Sequence, residues 1–132
     1  MKTIKIDGKE YKIHCTAYTK FQYKQLFNRG IFKDIKVLNQ MEITRENTIK
    51  KAKEENPNIT DEELDSLVGM EVFEDLDEVI DVMLRIAYVE ILTANPKFNK
   101  SFEDFVKTIE NIKISEPWVS EVTELAVTSF CG

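Results

Sequence analysis

The sequence predicts a mainly α fold: a compact helical domain of about five to six helices preceded by a short N-terminal β-hairpin. Apolar residues recur at helical spacing through most of the 132 residues, whereas two-residue alternation is confined to the first fifteen. Ser, Thr or Pro stands at the start of most periodic stretches, as helix caps do. A chain of this length forms one domain, with a hairpin (1–15), a helical part (16–42), a polar segment (43–59) and a helical core (60–132).

The first fifteen residues alternate as two strands joined by a tight turn. If Gly8 and the next residue form the centre of the turn, Ile6 pairs with Tyr11. If Asp7 and Gly8 form it, the partner of Ile6 is Lys9. We expect the first register, because it keeps apolar side chains opposite each other, and because Gly in the first central position suits a type II′ turn.

A helix over Thr16–Arg29 follows, with Gly30 as its C-terminal stop and Thr19 as an alternative start. Two interpretations of its apolar residues remain open. Either the hairpin and the helical core cover one side each, or Tyr18 and Phe21 stay exposed for a partner. At 100° per residue the helix carries two apolar stripes on opposite sides, Tyr23, Leu26 and Phe27 on one and Tyr18 and Phe21 on the other.

The middle of the chain is less regular. Residues 31–42 predict a short helix or a loop with apolar anchors. The polar segment 43–59 is the weakest pattern, and we expect it to be exposed or mobile. Thr60 and Glu63 then have the spacing of a capping box and open a further helix, which we expect Gly69 to end.

The strongest helical pattern covers residues 71–94, roughly 35 Å at 1.5 Å per residue. Its first half is amphipathic, and Asp81 and Arg85 have the spacing of a helical ion pair. Its second half, 82–92, is apolar nearly all round, which predicts burial in the domain core or in an assembly.

Two shorter helices close the chain. We expect Ser101 to cap the first, whose apolar positions extend to Ile112. We expect Ser115 to cap the second, with Pro117 in its first turn, where the missing N–H has no cost. Trp118 begins the apolar stripe of that last helix.

Charge is unevenly spread over a net charge of −6. Residues 1–53 hold thirteen Lys and Arg against five Asp and Glu, and residues 54–132 hold five against nineteen. The two halves could cancel within one molecule, or they could support head-to-tail self-association. Nucleic-acid binding by the basic half is disfavoured, because the acidic half repels phosphate and the basic half has only two arginines.

The residues offer no pattern typical of catalysis, of metal binding or of cofactor binding. The single histidine, His14, has no partner for catalysis in the sequence, and the four glycines are too isolated to form a phosphate loop. Cys15 and Cys131 have no metal-ligand spacing. No apolar run reaches the roughly 18 residues of a membrane span, and no signal-peptide pattern opens the sequence. We therefore expect a cytoplasmic protein that is not an enzyme and uses no cofactor.

The order of these patterns resembles a known family. A short hairpin containing Asp7-Gly8-Lys9-Glu10 precedes the aromatic-rich helix, and the stretch IAYVEILTANP (86–96) follows a charged middle. Phe102-Glu103-Asp104-Phe105 and Trp118-Val119-Ser120-Glu121-Val122 complete the pattern. The sequence thereby resembles the tail assembly chaperones of long-tailed phages and prophages of Gram-positive bacteria.

The resemblance implies a protein of the bacterial host cytoplasm that binds the long apolar tape-measure protein, and keeps it soluble until tail tube subunits assemble around it. The tape-measure protein and the tail tube protein are then the implied partners. Such a role requires exposed apolar surface. We expect five aromatic residues to contact the partner: Tyr18, Phe21, Tyr23, Phe27 and Tyr88. The outer side of residues 82–92 is a further expected contact.

Three other functions remain open from the sequence. The chain could be a different interaction or structural protein of a phage or mobile element. Its acidic helical surface could imitate nucleic acid and occupy a basic site. Its basic half could belong to a DNA-binding regulator, which is the least favoured of the three.

Overall fold

The computed structural model describes residues 1–72, 76–113 and 116–131, without the side chains of residues 71 and 72. The mainly helical prediction is confirmed: a two-stranded antiparallel hairpin precedes six helices in this part of the chain. The elements in order are β1 (Lys2–Ile6), β2 (Lys9–Ile13), α1 (Ala17–Phe27), α2 (Ile31–Glu55), α3 (Asp61–Val72), α4 (Leu76–Ala94), α5 (Phe102–Lys107) and α6 (Pro117–Phe130).

The predicted hairpin register is wrong. Ile6 pairs with Lys9, and the turn is centred on Asp7 and Gly8. Both turn residues have positive φ, 52° and 82°, as a type I′ turn requires, and Asp-Gly is a preferred pair for that turn. The observed pairing differs from the prediction by two residues, so the isoleucines keep the same face and Ile4 and Ile6 are still buried.

Helix α1 begins where the sequence predicts and ends earlier. Thr16 is its N-cap, with Thr16 Oγ1 accepting from the Tyr18 N–H at 3.1 Å and Thr19 Oγ1 accepting from the Thr16 N–H at 3.0 Å. The helix stops at Phe27, because Asn28 adopts the left-handed conformation with φ 53°. Gly30 is the N-cap of the next helix and not the stop of this one.

Helix α2 is one continuous helix of 25 residues, so the predicted break near residue 42 is wrong. Most residues of 43–59 are exposed, as expected, although the segment is helical as far as Glu55. The second half of α2 packs against α3, and Ala52 is buried there. A partner helix therefore stabilises a stretch that has little apolar pattern of its own. The helix ends before Pro57, where Asn56 is the C-cap.

Helix α3 begins at the predicted cap, with the Glu63 N–H donating to Thr60 Oγ1 at 3.2 Å. The predicted stop at Gly69 is wrong, since α3 continues to Val72. The predicted start of the long helix at residue 71 is also wrong, because that residue belongs to α3. Residues 73–75 lie outside the described residues.

Helix α4 is the centre of the core and ends at Ala94 as predicted. Helices α1, α2, α5 and α6 and strand β2 all pack on it. Every residue from Val82 to Ile91 except Arg85 is buried, so the all-round apolar stretch lies inside its own domain. The structure thus places this stretch in the domain core, the first of the two locations that its all-round apolar pattern predicts. Arg85 does not pair with Asp81 and instead turns inward.

The closing helices frame the other side of the core. Ser101 caps α5 as predicted, with Ser101 Oγ accepting from the Asp104 N–H at 3.1 Å. That helix has only six residues, so the apolar positions near Ile112 continue outside it. Pro117 opens α6, which confirms its predicted place in the first turn. The predicted cap Ser115 lies outside the described residues.

Candidate functional site

Three places in the described part of the chain bear on function: a buried carboxylate network, a buried carboxyl beside a cysteine, and an exposed aromatic surface. Residues 1–72, 76–113 and 116–131 contain no group of three or more His, Cys, Asp or Glu side chains that could hold a metal ion. His14 is half-buried just after β2, and its backbone N–H donates to the Glu90 carbonyl at 3.1 Å.

The buried network is centred on Asp34, which is 1% exposed. Its carboxylate accepts hydrogen bonds from the Tyr23 hydroxyl and, at 2.9 and 2.8 Å, from Arg29, while Arg85 Nη2 lies 3.6 Å away. Burial acts to raise the pKa of Asp34, but the hydrogen bonds from Arg29 and Tyr23 and the two positive charges outweigh it, so that pKa is lowered. The network joins α1, α2 and α4 and leaves the carboxylate fully paired, which is a structural arrangement.

The second buried carboxyl, Glu90 on α4, is 0% exposed. Its Oε2 accepts from Cys15 Sγ at 3.5 Å, and its Oε1 has no hydrogen-bond partner in the described structure. Burial raises the pKa of Glu90 well above its usual range, and burial together with the Glu90 charge also raises the pKa of Cys15. A thiol with a raised pKa is a poor nucleophile, so the pair lacks the thiolate that covalent chemistry requires.

The exposed aromatic surface lies on α1. Tyr18 and Phe21 are 57% and 54% exposed, and their rings are stacked with centroids 5.9 Å apart and planes 24° apart. Thr19 and Tyr23 point into the core from the opposite side of the same helix. The open question from the sequence is thereby answered: Tyr18 and Phe21 are exposed in this molecule.

Lysines and a further aromatic residue lie to one side of this pair, toward α2. Lys20 Nζ lies 5.8 Å from the centroid of the Phe32 ring on α2, within reach of a cation–π interaction. Phe32 is itself 44% exposed and meets Phe130 edge-on at 5.9 Å. Lys24 lies one turn after Lys20 on α1 and is exposed. We name the α1 surface by these five residues: Tyr18, Lys20, Phe21, Lys24 and Phe32.

The other three predicted contact residues, Tyr23, Phe27 and Tyr88, are packed in or against the core and are not exposed as Tyr18 and Phe21 are. Tyr23 is fully buried and donates to Asp34. Tyr88 is 5% exposed, and its hydroxyl donates to the Lys100 carbonyl at 2.6 Å. Phe27 is half-buried against Phe102, with ring centroids 4.9 Å apart. Their aromatic character provides packing and buried hydrogen bonds.

Sequence reasoning also missed exposed apolar residues. Leu26 shares a predicted stripe of α1 with Tyr23 and Phe27, yet it is 51% exposed. Met70 is 75% exposed on α3, next to the 39% exposed Leu67 one turn earlier. The sequence prediction ended α3 at Gly69 and therefore left Met70 outside the helix. Continuing the helical spacing past Gly69 would have placed Leu67 and Met70 on the same side.

Two shallow grooves also lie on the described part of the surface. The groove between α2 and α6, of about 320 Å³, is largely polar, and its Arg45, Glu42 and Ser120 side chains are bonded to one another. The other, of about 330 Å³, lies between α3 and the start of α4, with Val68, Leu76, Ile80 and Ile112 in its walls. Neither groove presents an unpaired buried polar group, so the α1 surface is the better candidate site.

None of the helices in the described part of the chain combines the length and hydropathy that a membrane span requires. No protein-family model matches this chain, and no curated protein and no solved structure matches it with statistical significance.

Proposed function

We propose that this chain is a tail assembly chaperone of a phage or prophage, which binds the tape-measure protein and keeps it soluble during tail morphogenesis. Two lines of reasoning support the proposal. The order of patterns along the sequence resembles that family. The single observation that carries it is the stacked, exposed pair Tyr18 and Phe21, which gives the molecule an apolar contact surface.

The physical role is non-covalent. A long helical protein with an apolar stripe aggregates unless another surface covers that stripe. Aromatic side chains supply large contact area at low cost in conformational entropy, and they are common among the residues that dominate binding energy. The Thr16 cap fixes the first turn of α1, so Tyr18 is held in place before a partner arrives.

Self-association belongs to the same proposal. Copies bound side by side along a tape-measure protein could contact one another through the basic half of one and the acidic half of the next. All eleven lysines of residues 1–53 are exposed, and they remain available for such contacts. The tail tube protein is the second partner that the family resemblance implies.

The proposal predicts that Tyr18→Ser with Phe21→Ser lowers the soluble fraction of the partner. The chain is co-expressed with the candidate tape-measure protein, which the proposal predicts to be encoded immediately downstream, and that partner is measured in the soluble fraction and by pull-down. We expect a loss of severalfold, because two exposed aromatic contacts are removed, each worth about 1 kcal/mol or more at an interface.

The matched control is Leu67→Ser with Met70→Ser, which removes another exposed apolar pair at the same helical spacing. This control is expected to leave the partner soluble. Both double variants should unfold cooperatively in urea with little change in stability, since the replaced side chains are exposed. Equal partner solubility with the wild-type chain and the α1 variant would contradict the proposal, as would an absence of any co-purifying partner.

A further inference from the structure

The α1 surface combines an apolar centre with one sign of charge. Tyr18 and Phe21 are three residues apart, so they cover about one turn of the helix. Lys20 and Lys24 form an i, i+4 row beside them. No Asp or Glu occurs between Cys15 and Lys33. The next acid, Asp34, is buried and already paired with Arg29 and Arg85, so it does not neutralise the surface lysines.

We infer that the α1 surface selects amphipathic helices whose apolar stripe is flanked by acidic side chains; this inference rests on the proposed function and specifies the partner segment. The apolar stripe covers the rings of Tyr18 and Phe21. Carboxylates beside the stripe meet Lys20 and Lys24, while a helix with flanking lysines is repelled. The preference comes from charge, and the binding itself comes from the aromatic pair.

Single-stranded nucleic acid is the competing ligand for aromatic rings beside lysines, because bases stack on exposed rings. The structure favours the acidic helix. Both arginines of the basic half are already engaged, Arg29 with Asp34 and Arg45 with Glu42. The twelve acids between Glu54 and Leu84 add a field that repels a phosphate backbone over its length. A short acidic helix presents far fewer negative charges to that field.

The test compares two synthetic helical peptides that share one leucine stripe and carry either glutamates or lysines at the flanking positions. Binding of each labelled peptide to the full chain is measured by fluorescence anisotropy at low and at high salt. We expect the glutamate peptide to bind about tenfold or more tightly at low salt, with a smaller difference at high salt.

Two charge-reversal variants test whether the preference for the glutamate peptide depends on the lysines of the α1 surface. Lys20→Glu with Lys24→Glu should reverse the order of the two peptides. Lys50→Glu with Lys51→Glu, which alters two exposed lysines near the far end of α2 and changes net charge equally, should leave the order unchanged. Tyr18→Ser with Phe21→Ser should weaken binding of both peptides.

The outcomes separate this inference from the proposed function. Equal binding of both peptides overturns the inference and leaves a helix-binding chaperone intact. Binding of neither peptide removes the helix-binding role itself. Displacement of the glutamate peptide by an oligothymidine assigns the surface to nucleic acid and overturns the inference. If replacing Tyr18 and Phe21 changes the sedimentation of the chain alone, the surface binds a second copy of the chain. That result would also overturn the inference.

Discussion

Glu90 and Asp34 are both buried carboxyl groups, yet their surroundings shift their pKa values in opposite directions. Asp34 has Tyr23 and two arginines around it, so its charged form is stabilised and its pKa is lowered. The side chain of Glu90 has one weak donor, the Cys15 thiol, and an unpaired Oε1, so its neutral form is favoured and its pKa is raised. The same residue class therefore provides a paired anion in one place and a buried neutral acid in the other.

Glu90 makes stability fall as the pH rises. The unfolded chain ionises this carboxyl above its ordinary pKa of about 4.3, while the folded chain keeps it protonated up to a higher pKa. The stability it contributes is complete below the unfolded pKa and is lost as the pH rises through the folded pKa. For one such group the slope reaches about 1.4 kcal/mol per pH unit.

We expect Glu90→Gln to flatten this dependence and to raise the free energy of unfolding at neutral pH relative to wild type. The amide cannot ionise, and its oxygen can still accept from Cys15. Urea unfolding from about pH 5 to pH 8 measures the slope. Glu103→Gln, at an exposed carboxylate, is the control and should keep the wild-type slope. A Glu90→Gln slope identical to wild type would show that Glu90 does not titrate with folding.

At the scale of elements, features set by neighbouring residues were predictable from the sequence, and packing between segments distant in the sequence was not. The predicted caps Thr60 and Ser101 depend on residues within three positions, and the structure confirms both. The stop at Gly69 failed because one glycine costs a helix only about 1 kcal/mol, which neighbouring packing outweighs. The continuity of α2 beyond residue 42 depends on α3, and that packing partner is not visible in the local pattern.

For the candidate site, the sequence predicted which residues share a side of α1, but not which side is exposed. Periodicity placed Tyr18 and Phe21 opposite Tyr23 on one helix, and the structure confirms that separation. Periodicity does not say which side the rest of the chain covers. Tyr88 lay on a stretch that is apolar nearly all round, so the sequence alone could not distinguish burial in the domain from exposure in an assembly.

Gly69 offers a stability test at this scale. It lies within α3, and a Cβ added there meets no atom within 4 Å. Gly69→Ala should therefore raise the free energy of unfolding by about 0.5 to 1 kcal/mol, since alanine loses less backbone entropy in a helix. Urea denaturation measures this change.

Gly8 is the matched control for that substitution, because a Cβ there also meets no atom within 4 Å. Its φ of +82° in the hairpin turn is unfavourable for alanine, so Gly8→Ala should destabilise the chain. Both sites have room for a Cβ. If the two substitutions change the free energy of unfolding in opposite directions, backbone conformation decides the effect. A destabilising Gly69→Ala would contradict the helical assignment at that position.

At the scale of the whole molecule, the ion pairs of the described residues leave the lysines of the basic part unpaired with the acids of the acidic part. The ion pairs within residues 1–72, 76–113 and 116–131 join Arg29 and Arg85 to Asp34, Arg45 to Glu42 and Lys107 to Glu103. None of them joins a lysine of the first 53 residues to an acid of residues 54–84. Opposite charges thus remain on the surface of one molecule, where a second copy can meet them.

The proposed head-to-tail association predicts a salt-dependent mass. Sedimentation velocity at low salt should show larger species that grow with protein concentration, and high salt should return the chain toward the monomer, because screening weakens contacts between exposed charges. Lys5→Glu with Lys12→Glu should reduce association by reversing charge on the hairpin. Lys97→Glu with Lys100→Glu changes net charge equally outside the basic half and should reduce it less. A mass that is independent of salt, or equal effects of the two variants, would mean that the charge asymmetry does not bring copies together.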